Sequence, residues 1–202
     1  MLYNLIFNYH KYIRMMWNVE QIDSIAGFDD VNRRIEMNGI PIRQKEFFSE
    51  ALKVSFKPQS AKEKKLAIPD LCVLSGRLYL NEKAYEVLHD LIQTDGEFLD
   101  LIDDRGQPGY LFNPLRVAED VDGLDVNLSK KDQWGQVVSL AFHEDKVKDW
   151  NVFRTEFNTY MQIYCQEQVK DAIEAAGLTG LYITNDLANI FPEEQSAVTK
   201  LN

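Results

Sequence analysis

The sequence predicts an α+β domain built on a mixed or mainly antiparallel sheet with a few packed helices. Single helical patterns stand between groups of apolar, strand-like runs, and there is no regular βαβα alternation. The composition, 45% hydrophobic, 11% aromatic and 27% charged, is ordinary globular usage and argues against disorder. A chain of 202 residues is long enough for one well-filled domain. The expected division is an N-terminal lobe over residues 1–60, packed on a main α+β domain over residues 66–190.

In chain order, MLYNLIFNY reads as a strand, and Phe28 to Ile42 as a further strand or a short helix ending near Gly39. QKEFFSEALKVSF mixes helical and alternating apolar patterns and stays open. KPQSAKEKK, lysine-rich and lacking interleaved aromatics, reads as an exposed connection rather than a nucleic-acid patch. LAIPDLCVL and RLYL are apolar strands joined by Ser75-Gly76, a hairpin signal. Asn81 is placed to cap a helix whose Ala84, Val87, Leu88 and Leu91 form one buried stripe, ended by Thr94-Asp95-Gly96.

EFLDLI and GYLFNPLRV flank the polar turn DDRGQPG. GQVVSLAF, VFRTEF and YMQIYC read as strands, with HEDKVKDWN as a polar connection or short helical turn and Asn158-Thr159 as a turn. A helix from Glu167 to Ala176 buries Val169, Ala172, Ile173 and Ala176, and Gly177 stands where a left-handed residue ends a helix. GLYIT is a last strand before a polar tail. Cys72 and Cys165 lie in apolar runs and read as core thiols rather than a disulfide. No apolar run approaches the roughly 20 residues of a membrane span. The N-terminus lacks the order of a signal peptide, so a soluble cytoplasmic protein is expected.

The net charge is −10, and residues 95–125 alone carry −7 of it. An acidic field disfavours nucleic acid, whose phosphates need a basic face, and speeds encounter with cationic partners. The densest part is LRVAEDVDGLDVNLS, where Glu119, Asp120, Asp122 and Asp125 crowd one glycine. A calcium loop beginning at Asp120 fails on spacing, with glycine at position 4, valine at 7 and Lys131 at 12. Nucleophile elbow, P-loop and dinucleotide fingerprint are all missing from the sequence. His10, His89 and His143 are isolated, and the one E-x-x-H, Glu86 to His89, lacks the second copy a di-iron bundle needs. Nothing in the sequence calls for a cofactor.

PDLCVLSGRLYLNEKAYEVLHDLI, then GEFLDL, YLFNPLRV, DVDGLDVNLS, VFRTEF and EQVKDAIEAAGLTGLYI, follow in an order that resembles an immunity-protein family of bacterial polymorphic toxin systems. That family is named for a myxobacterial member and was formerly a domain of unknown function. The resemblance covers residues 66–183. It departs at Asp100, where the family often reads proline, and in the heavier charge of the acidic loop. It implies a non-catalytic protein that binds and neutralises a cognate toxin.

A basic toxin would be steered by Glu119, Asp120, Asp122 and Asp125, with Trp134, Val121, Leu124 and Tyr110 as apolar anchors. Core packing at a strand end is the competing reading of Trp134 and of Trp150. The alternatives in function are a metal-dependent hydrolase or nuclease using the 119–125 carboxylates, and a small-ligand-binding regulatory domain. Oligomeric state is not written in the sequence.

Overall fold

The computed structural model describes residues 1–26, 39–48 and 50–191. The strand or helix expected over Phe28 to Ile42 lies largely outside them, as does most of the tail. Two sheets organise the chain. The first has the order β10 (Val152–Phe153), β11 (Ile163–Gln166), β1 (Leu2–Phe7), β12 (Leu181–Thr184), antiparallel throughout. The second has the order β2 (Met16–Trp17), β3 (Leu52–Ser55), β6 (Gly96–Asp103), β7 (Pro108–Pro114), β5 (Arg77–Asn81), β4 (Leu71–Leu74). Its β3–β6 pair is parallel and its other pairs are antiparallel. The fold is therefore α+β on mainly antiparallel sheets, as the sequence pattern predicts. Residues 1–60 contribute strands to both sheets, with β1 central in the first.

Alternation along the strands of the second sheet explains why both of its faces are covered. Leu78, Leu80 and Phe112 point into one core, shared with Leu5 and Ile163 of the first sheet and with Leu88, Val169 and Ile173 of two helices. Tyr79, Leu99, Leu101 and Leu111 point the other way, onto Phe7, Ile13, Met15 and Phe56. The two helices are α2 (Glu82–Ile92) and α4 (Glu167–Ala175), in contact with each other. Asn81 caps α2 by accepting the Ala84 amide at 2.9 Å, and Ala84, Leu88 and Ile92 are its most buried positions. A shorter helix, α1 (Val19–Ala26), follows β2.

VFRTEF departs from the expected strand. Only Val152 and Phe153 pair with β11; Arg154, its side chain buried, bridges Val117 in parallel instead, and Thr155 caps a 3-10 turn over Glu156–Asn158. HEDKVKDWN contains α3 (Glu144–Val147). Cys72 and Cys165 are buried free thiols, and burial pushes both up to about 12. Among the described residues no helix is long and apolar enough to cross a membrane.

Candidate functional site

The carboxylates picked out in the sequence stand at the base of an irregular hairpin, and Trp134 stands at its tip. Near the base, the Asp125 amide donates to the Ala141 carbonyl at 3.0 Å and the His143 amide to Gly123 at 2.8 Å. Leu124 and Phe142 face each other in an antiparallel bridge. Ser129 then bridges the two sides, its hydroxyl donating to the Ala141 carbonyl and accepting the Ala141 amide. Beyond it, β8 (Lys130–Lys131) pairs with β9 (Val137–Ser139) across a register shift.

The tip, DQWGQ, is tied by one aspartate. Asp132 Oδ1 accepts the amides of Trp134 at 2.8 Å and Gln136 at 2.9 Å, while the Asp132 carbonyl accepts Gly135. A turn closed this way needs no neighbour to hold it, so Trp134 is presented on fixed backbone. Its side chain is 79% exposed, which overturns core packing as its role. Trp150 does pack inward, on the cluster of Phe142, Phe153 and Tyr164, with the Arg116 guanidinium 5.7 Å from its ring centroid.

At the base the four carboxylates divide. Glu119 accepts the Thr155 hydroxyl and the amides of Glu156 and Phe157, both at 3.0 Å. Asp125 Oδ1 accepts the amides of Asn127 and Leu128 at 3.0 and 3.1 Å. Asp120 and Asp122 stand exposed. Val121 and Leu124, expected as partner-facing anchors, instead lean onto the Phe142 cluster. Tyr110 lies on β7, stacked on Tyr85 of α2 with centroids 3.7 Å apart, and is not part of this loop. Among the described residues no group of three or more His, Cys, Asp or Glu side chains is placed to hold a metal ion.

The charge count over residues 95–125 also needs correcting, because three of its nine carboxylates face inward. Asp95 accepts the amides of Asn151 and Val152, yet burial outweighs these bonds and raises its pKa. Asp103 ties its own turn through the Arg105 and Gln107 amides and the Arg105 guanidinium. Glu97 accepts the Gln44 amide at 2.5 Å and Asn113 Nδ2 at 2.9 Å. Asn113 in turn accepts Arg154 Nη2 at 3.0 Å, and Arg154 also donates to the Pro114 carbonyl. Arg77 and Arg154, both fully buried, escaped the sequence reading; burial lowers Arg77 to about 10, and burial plus the neighbouring Arg77 lowers Arg154 to about 9. The other six carboxylates divide, with Glu119, Asp120, Asp122 and Asp125 near the hairpin base and Asp100 and Asp104 on β6 and the turn after it. Burial first, then the carboxylates of Glu156, Glu119 and Asp120, hold the Tyr160 hydroxyl above the usual value.

Beside the hairpin runs a groove of about 360 Å³ lined by Lys131, Gln136 and Val137 on one side and by Phe157, Met161, Tyr164, Leu187, Ile190 and Phe191 on the other. Lys131 Nζ lies 4.7 Å from the Phe157 ring centroid. The wall comes from segments distant in sequence, and nothing in their local pattern marks them as one surface.

A family model described as Immunity protein family (Imm11) matches residues 32–185. No curated protein matches the chain. The match spans the hairpin and the groove wall from Phe157 to Tyr164, and ends before Leu187, Ile190 and Phe191.

Proposed function

This chain belongs to the Imm11 immunity-protein family, and from that premise we propose that it binds a cognate toxin and neutralises it by occlusion, without catalysis. The observation that carries the reading to a surface is Trp134, a large aromatic left 79% exposed on a turn braced by Asp132. An aromatic residue on a braced turn costs little backbone entropy on binding, and aromatic residues anchor interfaces disproportionately. The site comprises Trp134 as anchor and Glu119, Asp120, Asp122 and Asp125 as the acidic flank. Asp120 and Asp122 act outward on an incoming basic toxin, while Glu119 and Asp125 fix the loop from which they project.

The partner is a cationic protein domain, not nucleic acid or a membrane, and the protein acts in the cytoplasm. No cofactor takes part. The two thiols, raised to about 12, are not nucleophiles near neutral pH. The separate engagements of Glu119 and Asp125 give no support to a hydrolytic role for the cluster. The test is co-expression with the toxin domain encoded beside this gene. Restored growth and a one-to-one complex by size exclusion with light scattering are expected. Absence of both overturns the reading.

A further inference from the structure

Twelve large apolar side chains are exposed among the described residues; three of them, Met161, Ile190 and Phe191, line the groove, and Trp134 stands at the tip of the hairpin beside it. Scattered exposed apolar residues mean little, but a gathered set marks a contact surface. The groove is at the small end of the about 300–1,000 Å³ of small-molecule sites, a size for one or two side chains. Its rim is acidic. Glu119 is tied to the Phe157 amide, Glu156 is the preceding residue, and exposed Asp186 precedes Leu187 of the wall. The cation on the lining, Lys131, is already drawn onto the Phe157 ring.

We infer that this groove seats an apolar side chain projecting from a cationic segment of the cognate toxin, with Trp134 packing beside it. The inference rests on the proposed toxin-binding function and adds the chemistry of what is bound: an aromatic or long aliphatic residue flanked by lysine or arginine. The apolar contact sets the dissociation rate, and the carboxylate rim selects the flanking charges. A neutral apolar segment would fill the groove but leave that rim unpaired.

The test measures affinity for the toxin domain encoded beside this gene, using the full chain and four variants: Trp134→Ala, Met161→Ala, Met161→Glu and Met161→Lys. Both positions face solvent, so melting temperatures close to wild type are expected and identify any variant that misfolds. Trp134→Ala should weaken binding by at least about 30-fold, the loss expected of an interface hot spot. Met161→Lys should weaken it about tenfold more than Met161→Glu, because lysine repels a cationic segment and glutamate attracts it. If the wild type binds and the variants bind as tightly, the groove is not the seat, although toxin binding stands. Equal losses for lysine and glutamate refute the cationic segment. A wild-type dimer dissolved by Trp134→Ala shows that a second copy occupies the groove and overturns the inference. No binding by the wild type overturns both the function and the inference.

Discussion

Glu119 accepts the Phe157 amide at 3.0 Å, and through that bond the acidic loop and the groove wall form one piece. The same carboxylate takes the Thr155 hydroxyl and the Glu156 amide, so one side chain satisfies the start of the 3-10 turn over Glu156–Asn158. Glu119→Ala leaves these donors short of an acceptor in a half-buried corner. A loss of about 1–3 kcal/mol is expected, seen as a lower urea midpoint with an unchanged slope. Glu119→Gln should recover part of it, since an amide oxygen still accepts.

Asp120 and Asp122 present the opposite case. Both are exposed, and neither holds the loop as Glu119 does. Asp120→Lys alone should leave stability within about 0.5 kcal/mol of wild type, while adding Asp122→Lys should cost up to about 1 kcal/mol more, because Asp122 holds a left-handed turn at φ 52 that aspartate tolerates better than lysine. Association with the toxin should slow by about tenfold or more at low salt, and the deficit should shrink as salt screens the loop. Stopped-flow association at two ionic strengths checks this. An unchanged rate places the approach surface elsewhere.

The contrast shows what the sequence conveys and what it does not. Elements set by neighbours a few residues apart were legible: the Ser75-Gly76 hairpin, the Asn81 cap, and the stripe carrying Ala84 and Leu88. Side-chain direction at charged positions was not. Counting charges treats Asp95, Glu97 and Asp103 like Asp122, yet the first three point inward, Asp95 and Glu97 to donors supplied by distant residues and Asp103 to donors of its own turn. Arg77 and Arg154 sit in strand-like runs whose pattern would ordinarily place a guanidinium outward, and the Arg154 guanidinium instead reaches inward to Asn113 and Pro114. The groove was invisible for a similar reason, since Val137, Phe157 and Ile190 meet only in three dimensions.

The two glycines of GLTG should respond very differently to alanine. Gly177 has φ +59, but a Cβ there meets nothing within 4 Å. Gly177→Ala should cost only the left-handed backbone, about 1–2 kcal/mol. Gly180 has φ +114, and a Cβ would stand 1.9 Å from the Leu71 carbonyl oxygen and 2.6 Å from Pro69 Cβ. The backbone cannot withdraw cheaply, because the Thr179 carbonyl accepts the Leu71 amide and the Gly180 carbonyl accepts the Asn8 amide, both at 2.9 Å. Gly180→Ala should therefore lose at least about 3 kcal/mol. Urea titration of the two variants side by side tests this, and equal losses would refute the packing argument.

Acid stability should depend on Asp70, which joins the same GLTG segment to the helix cap. Its Oδ2 accepts the Thr179 amide at 2.8 Å and the Thr179 hydroxyl at 2.7 Å, and its Oδ1 accepts Asn81 Nδ2 at 2.7 Å. That last bond turns Asn81 so that its Oδ1 meets the Ala84 amide at the start of α2. Burial alone would raise the Asp70 pKa, but the bonds from Thr179 and Asn81 together hold it below the ordinary 3.8. A carboxyl lowered in the folded state adds stability that is fully present above the unfolded value and is lost as pH falls through the folded one. Asp70→Asn should be less stable than wild type near neutral pH, and the gap should close as pH falls through the unfolded 3.8 and then the lower folded value. Chemical denaturation of both proteins across that range measures the gap directly. A gap that stays constant would show that the Asp70 charge contributes nothing and that only its shape is used. Because Asn81 depends on this carboxylate for its orientation, fraying of α2, followed by amide exchange at Ala84, should appear in the same pH window.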